Sequence, residues 1–213
     1  VHQAIADVTV GNFIEHQRIL FAGNGYSQEW LEEAARRGLP NLATTIDAIP
    51  ELTKPETIET YKKMGVFNEN ELRAREEMKY ENYAKTLSID AKVMVDIAGK
   101  HVIPSVIKYT RALADDIVAM KAAGYTDDDC SVQNEVLERI NRYLKEAYEA
   151  LKVLVVRDRE ANAIVSVRER AAFFKNEVIP AMEKLRKPID RLEILVDKDF
   201  WSMPSYGDLL FDV

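Results

Sequence analysis

The chain has 213 residues, 47% of them hydrophobic and 31% charged, which is enough for one large folded domain with an apolar core and is unlike a disordered segment. Its 29 Lys and Arg against 36 Asp and Glu leave a net charge of −7, which argues against nucleic acid as the main partner because phosphate binding needs a surplus of basic side chains. No apolar run approaches the roughly 20 residues of a membrane helix, and the opening VHQAIADVTV has neither the basic start nor the apolar stretch of a secretory signal. The single cysteine, Cys130, cannot form an intrachain disulfide. The expectation is a cytoplasmic protein with no nucleic-acid and no membrane partner.

In chain order, residues 1–26 read as the least helical part. The run Arg18-Ile19-Leu20-Phe21-Ala22, stopped by Gly23-Asn24-Gly25-Tyr26, fits either a strand with a turn or the last turn of a helix starting near Val10. Ser27 is a good N-cap for a helix that places Trp30, Leu31 and Ala34 on one face and ends at Gly38 and Pro40. A second short helix is expected over Thr45 to Leu52. A third starts at Pro55, where the missing N–H costs nothing, and stops at Gly65.

The remainder reads as long helices. Asn68 and Glu71 have the spacing of a capping box. No strong breaker follows until Pro104, which should kink a helix that otherwise resumes to Ala123. Thr126 to Ser131 form a turn that caps the next helix. There Leu137, Ile140, Leu144, Ala147, Leu151 and Leu154 recur at the 3,4 spacing of a heptad seam. After a break near Arg159 to Asn162, Val167, Ala171, Phe174, Val178, Ala181, Leu185, Leu192 and Leu195 follow nearly the same spacing, with Pro180 and Pro188 as further kinks. The predicted fold is all-α. It is a bundle of about three long, proline-kinked antiparallel helices in one domain: turn and short helices over 1–66, the bundle over 67–197, and a non-helical aromatic tail, 198–213, docked on it.

A search for chemistry yields little. His2, His16 and His101 form neither His-Glu-x-x-His nor a Glu-x-x-His pair. Asp127, Asp128 and Asp129 lack the glycine and distal glutamate of a calcium loop and suit the start of a helix. Cys130 has no CxxC partner and no basic neighbours to lower its pKa. The Gly23–Tyr26 turn invites a phosphate-loop reading, but the Lys-Ser/Thr of that loop and the third glycine of the dinucleotide fingerprint are absent, and Gly-Asn-Gly suits a tight turn. No catalytic, cofactor-binding or metal-binding residue is predicted.

One stretch, Gln17-Arg18-Ile19-Leu20-Phe21-Ala22-Gly23-Asn24-Gly25-Tyr26-Ser27-Gln28-Glu29-Trp30, is distinctive. It resembles the corresponding segment of type III glutamine synthetase. The resemblance continues through Ala34 to Thr45, Asp47 to Pro50, Glu81 to Thr86, Ile103 to Tyr109 and Trp201 to Phe211. Ala22 departs from the asparagine common at that place in the family. The resemblance implies the C-terminal helical domain of a much longer enzyme, with the catalytic portion and its metal- and substrate-binding residues outside this sequence.

For the full-length enzyme it further implies ATP-dependent amidation of glutamate by ammonia, with ATP and Mg (or Mn) as cofactors, and a homo-oligomer, a dodecamer in the family. The partner of this fragment would then be the upstream catalytic domain of the same enzyme, and its own role structural. Two other readings stand beside this one: a ligand-sensing module, with the Gly23–Tyr26 turn or the bundle core holding an effector, and a free-standing helical scaffold.

Overall fold

The computed structural model describes residues 2–204 and 206–210, and among these every regular element is helical. The fold is all-α. The chain divides into two compact units, residues 1–48 and 49–213.

In the first unit, α1 (His2–Glu15) is followed by a single 3₁₀ turn over Gln17–Ile19, α2 (Gln28–Arg36) and α3 (Thr45–Ala48). The N-terminal residues, expected to be poorly helical, are thus helical from His2. Gly11 is the weakest helix former among them, and one glycine lowers helix stability without forbidding it. Arg18–Ala22 is neither a strand nor the end of a helix from Val10. It leaves the 3₁₀ turn at Leu20 in an extended conformation. At the end of α2, Gly38 has φ +67°, its N–H bonds the Ala35 carbonyl at 2.9 Å, and Leu39 N–H bonds the Ala34 carbonyl at 2.9 Å. That pairing is a Schellman stop, and it needs a residue without a Cβ.

In the second unit a 3₁₀ turn, Ile49–Thr53, and α4 (Pro55–Lys63) precede three long rods. The first is α5 (Glu69–Ile97) continuing through Ala98–Val102 into α6 (Ile103–Ala122), about 80 Å at 1.5 Å per residue. It starts at the expected capping box: Asn68 Oδ1 accepts from Glu71 N–H at 3.0 Å, and Glu71 Oε2 accepts from Asn68 N–H at 2.8 Å. The second rod is α7 (Ser131–Ala163), which runs past the expected break and ends at Ile164. The third is α8 (Val167–Phe173), continuing through Phe174–Val178 into α9 (Ile179–Leu195). The tail is not wholly irregular as expected: α10 (Tyr206–Leu210) forms beyond Pro204, with Asp208 in its first turn.

Pro104 and Pro180 act through the same device. In both rods the helix widens into a π-turn just before the proline, so that Ile103 N–H bonds the Ala98 carbonyl and Ile179 N–H bonds the Phe174 carbonyl, five residues back. A proline ring clashes with the carbonyl four residues before it and offers no N–H. Shifting the ladder by one residue moves that carbonyl aside, and the helix continues. Pro188 lies inside α9 and is buried there without a π-turn.

The seam anticipated on α7 is the core. Ile140, Ala147, Leu151 and Leu154 are buried and Ala161 extends the row, while Leu137 and Leu144 are half-buried at its edge. On the third rod Ala171, Phe174, Val178, Ala181, Leu185, Pro188 and Leu192 are all buried at alternating spacings of three and four. Helix α7 packs along α9 and α6, and α5 lies against α8 and α7. Val102 and Val106 close the core with Ile140, Ala147, Leu192 and Val196. Where α5 passes its neighbours its buried residues are small (Ala84, Ser88, Ala91), which lets backbones approach. Ser88 donates to Asp158 Oδ1 at 3.2 Å and accepts from Asn162 Nδ2 at 3.2 Å, so the buried hydroxyl is satisfied by α7.

Leu154→Ala removes a fully buried side chain from this seam and is expected to cost about 2–5 kcal/mol, read as a fall in calorimetric Tm. Gly124, with φ +93° and open space where a Cβ would stand, isolates backbone strain from packing. Gly124→Ala should lower stability by about 1–2 kcal/mol, measured by urea unfolding with an unchanged slope.

Candidate functional site

The stretch most distinctive in the sequence folds into a rigid turn in the first unit. Asn24 Oδ1 accepts from Tyr26 N–H at 3.0 Å, and the Asn24 carbonyl accepts from Ser27 Oγ at 2.8 Å. Ser27 Oγ in turn accepts from Trp30 N–H at 3.4 Å, as expected of an N-cap. Both Asn24 oxygens and the Ser27 hydroxyl are therefore engaged within the turn. Tyr26 at its tip is fully exposed. Beneath it, Phe21 stacks on Trp30 with centroids 4.5 Å apart and rings inclined by 31°.

Arginines fasten this turn to the end of α2. Arg37 lies 5.8 Å above the Trp30 ring and donates to the Leu20 carbonyl. Arg18 donates from Nε to the Arg37 carbonyl at 2.8 Å and from Nη2 to the Gly38 carbonyl. These two acceptors belong to the C-terminal end of α2, where carbonyls lack helical partners and a cation is favoured. Glu33 receives two bonds from Arg36 and one from Arg37, each 2.6 Å. The guanidinium of Arg36, and then that of Arg37, hold its carboxyl down to about 2. The sequence reading named neither Arg18 nor Arg37. The spacing of Glu33 to Arg36 and Arg37, three and four residues on one helix face, is the signal that could have found half of the cluster.

The residues weighed for chemistry do not converge. His2, His16 and His101 are exposed, on α1, just beyond it, and in the first π-turn. Cys130 is buried at the N-cap of α7. Asp129 accepts from Thr126 N–H at 2.8 Å and from its hydroxyl at 2.6 Å, bonds that lower its pKa, and Asp127 pairs with Lys121 at 2.6 Å. The Asp127 and Asp129 carboxylates are therefore taken up by the turn between α6 and α7. Among the described residues no three His, Cys, Asp or Glu side chains stand together to hold a metal ion. Among the described residues no helix is long and apolar enough to cross a membrane.

A long helical hairpin bundle joined to a unit with a locked Gly-Asn-Gly-Tyr turn defines a helical module without a metal-binding cluster among its described residues. The family model described as "Glutamine synthetase C-terminal domain" matches residues 4–121, from α1 to the end of α6. The chain is 32% identical over 211 residues to the glutamine synthetase of Butyrivibrio fibrisolvens, covering 99% of this chain and 30% of that protein. It is 31% identical to the glutamine synthetase of Bacteroides fragilis, covering 98% and 29%, and 31% identical to the type-3 glutamine synthetase of Dictyostelium discoideum, covering 93% and 27%. The chain belongs to the glutamine synthetase C-terminal domain family, type III included. It spans about 30% of the length of the curated relatives it matches.

The Glu33 cluster gives a pH dependence of defined sign. Because the folded carboxyl titrates below the ordinary value of 4.5, its stabilising contribution is complete above that pH and is lost as pH falls toward 2. A ¹³C titration of the Glu33 carboxyl is expected to show a midpoint near 2, and a midpoint at the ordinary glutamate value would mean the cluster does not form in solution.

Proposed function

We propose that this chain is the non-catalytic C-terminal part of an ATP-dependent glutamate–ammonia ligase, and that it serves assembly. The upstream catalytic region of the same enzyme, or a neighbouring copy of it, is its partner. Glutamate, ammonia, ATP and Mg (or Mn) are handled by that region and not by the residues described above. The relatives' printed names supply the activity.

The observation that carries the structural role is α1. It has 14 residues and buries none, yet Ile5, Val8, Val10, Phe13 and Ile14 are all more than half exposed. An isolated helix of that length is marginal in water, and most helical stability comes from packing an apolar face. Its inclusion in the family match supports a shared role for it. A covering surface on the rest of the enzyme would give α1 the partner it lacks, and apolar burial of this kind typifies permanent interfaces.

The isolated chain is expected to release no phosphate in an ATP- and glutamate-dependent manner, and release well above a blank would overturn the non-catalytic reading. In the full-length enzyme, Phe13→Asp together with Ile5→Asp should lower the molar mass seen by light scattering while leaving the bundle helical by circular dichroism. An unchanged oligomer would mean that assembly belongs wholly to the catalytic region.

A further inference from the structure

Beyond α9 the described chain meets the bundle through the side chains of Phe200, Trp201 and Met203. Asp197 builds a tight local turn: its carboxylate accepts from Asp199 N–H at 2.8 Å, and its carbonyl accepts from Phe200 and Trp201 N–H at 3.0 Å each. The turn lays Trp201 and Met203 on the cluster of Val102, Val106, Leu192 and Val196, and sets the Phe200 ring 5.3 Å from that of Tyr109. Lys198 reaches Asp208 at 2.7 Å, but both side chains are well exposed, and such pairs contribute little.

Two features of this junction bear on how firmly it is held. Among the described residues Trp201 Nε1, like Arg170 Nε on α8, is buried without a hydrogen-bond partner, a condition rare in native structures because a buried orphan donor keeps its desolvation cost. A groove of about 430 Å³ also remains beside the tail, lined in part by Ile97, Val102, Ile189, Trp201, Met203 and Leu209.

We infer that residues 197–204 form a releasable strap, in which Trp201 leaves the end of the bundle in a step separate from global unfolding. Burial of the indole and the Phe200–Tyr109 contact favour the closed strap. The orphan N–H, which regains water on release, and the unfilled groove favour the open one. The Asp197 turn is the pivot, because its hydrogen bonds all lie within residues 197–201 and survive the motion. Opening uncovers an apolar floor of Ile97, Val102 and Ile189, next to the first π-turn.

The test is methyl exchange-transfer NMR on the chain, comparing Met203 and Val102 with Leu154 as the internal reference. A minor state is expected at Met203 and Val102 and absent at Leu154. Placing β-(3-benzothienyl)alanine at position 201, an isostere of the indole without the N–H, should reduce that minor population by about 5- to 100-fold, the range set by one unsatisfied donor. Trp201→Ala should move the Met203 signal to the minor-state position and leave Leu154 unmoved. The inference is overturned if Leu154 shares the exchange or no exchange is found. It is equally overturned if the isostere enlarges the minor state, or if Trp201→Ala unfolds the seam.

Discussion

The apolar row of α7 governs this structure. A rod of helix some 80 Å long cannot bury its own stripe, and isolated helices gain little from propensity alone. Every long element here is stable because it lies against α7 or against a helix that does. Ile140, Ala147, Leu151, Leu154 and Ala161 present a continuous face to partners on both sides. The first and third rods are therefore parallel neighbours held by one antiparallel helix between them in sequence. The turns after α6 and α7 have only to reverse the chain.

The two π-turns show how a sequence keeps a proline without surrendering a helix. Both carry Val-Ile-Pro, and in both the valine is buried while the ladder slips by one residue ahead of the ring. Gly99, within the first, stands 3.8 Å from Leu151 by its would-be Cβ, so the widened turn lies against the seam. Pro188 shows the other solution. It is buried in the apolar row itself, where its ring fills a position that a leucine would otherwise occupy.

Much of the second unit was legible because its information is periodic and local. Alternating apolar spacings of three and four named the buried faces of α7 and α9, and Asn68 and Gly65 marked helix ends by side-chain chemistry or by the lack of a Cβ. The first unit was less legible. Whether Arg18–Ala22 was strand or helix turned on contacts some 20 residues away, between Arg18, Arg37 and the carbonyls at the end of α2, which no local pattern encodes. Helix α1 was missed because its apolar residues have no partner among the described residues to impose a readable period. The short α10 was missed for a related reason: five residues are too few to show one. The distinctive Gly-Asn-Gly-Tyr stretch was legible as a tight turn and as a family mark, while its engagement by its own hydrogen bonds became visible only in three dimensions.

The π-turns bear on how lengths vary in such a chain. Each accommodates one residue more than the same stretch of α-helix would, and an added residue turns everything after it by about 100° about the axis. The third rod has already made this adjustment, since its buried row keeps alternating spacings of three and four from Ala171 to Leu192 across the widened turn. A single-residue length difference between two family members is better absorbed in these widened turns than in the middle of α7, where it would carry half of the seam onto the solvent side.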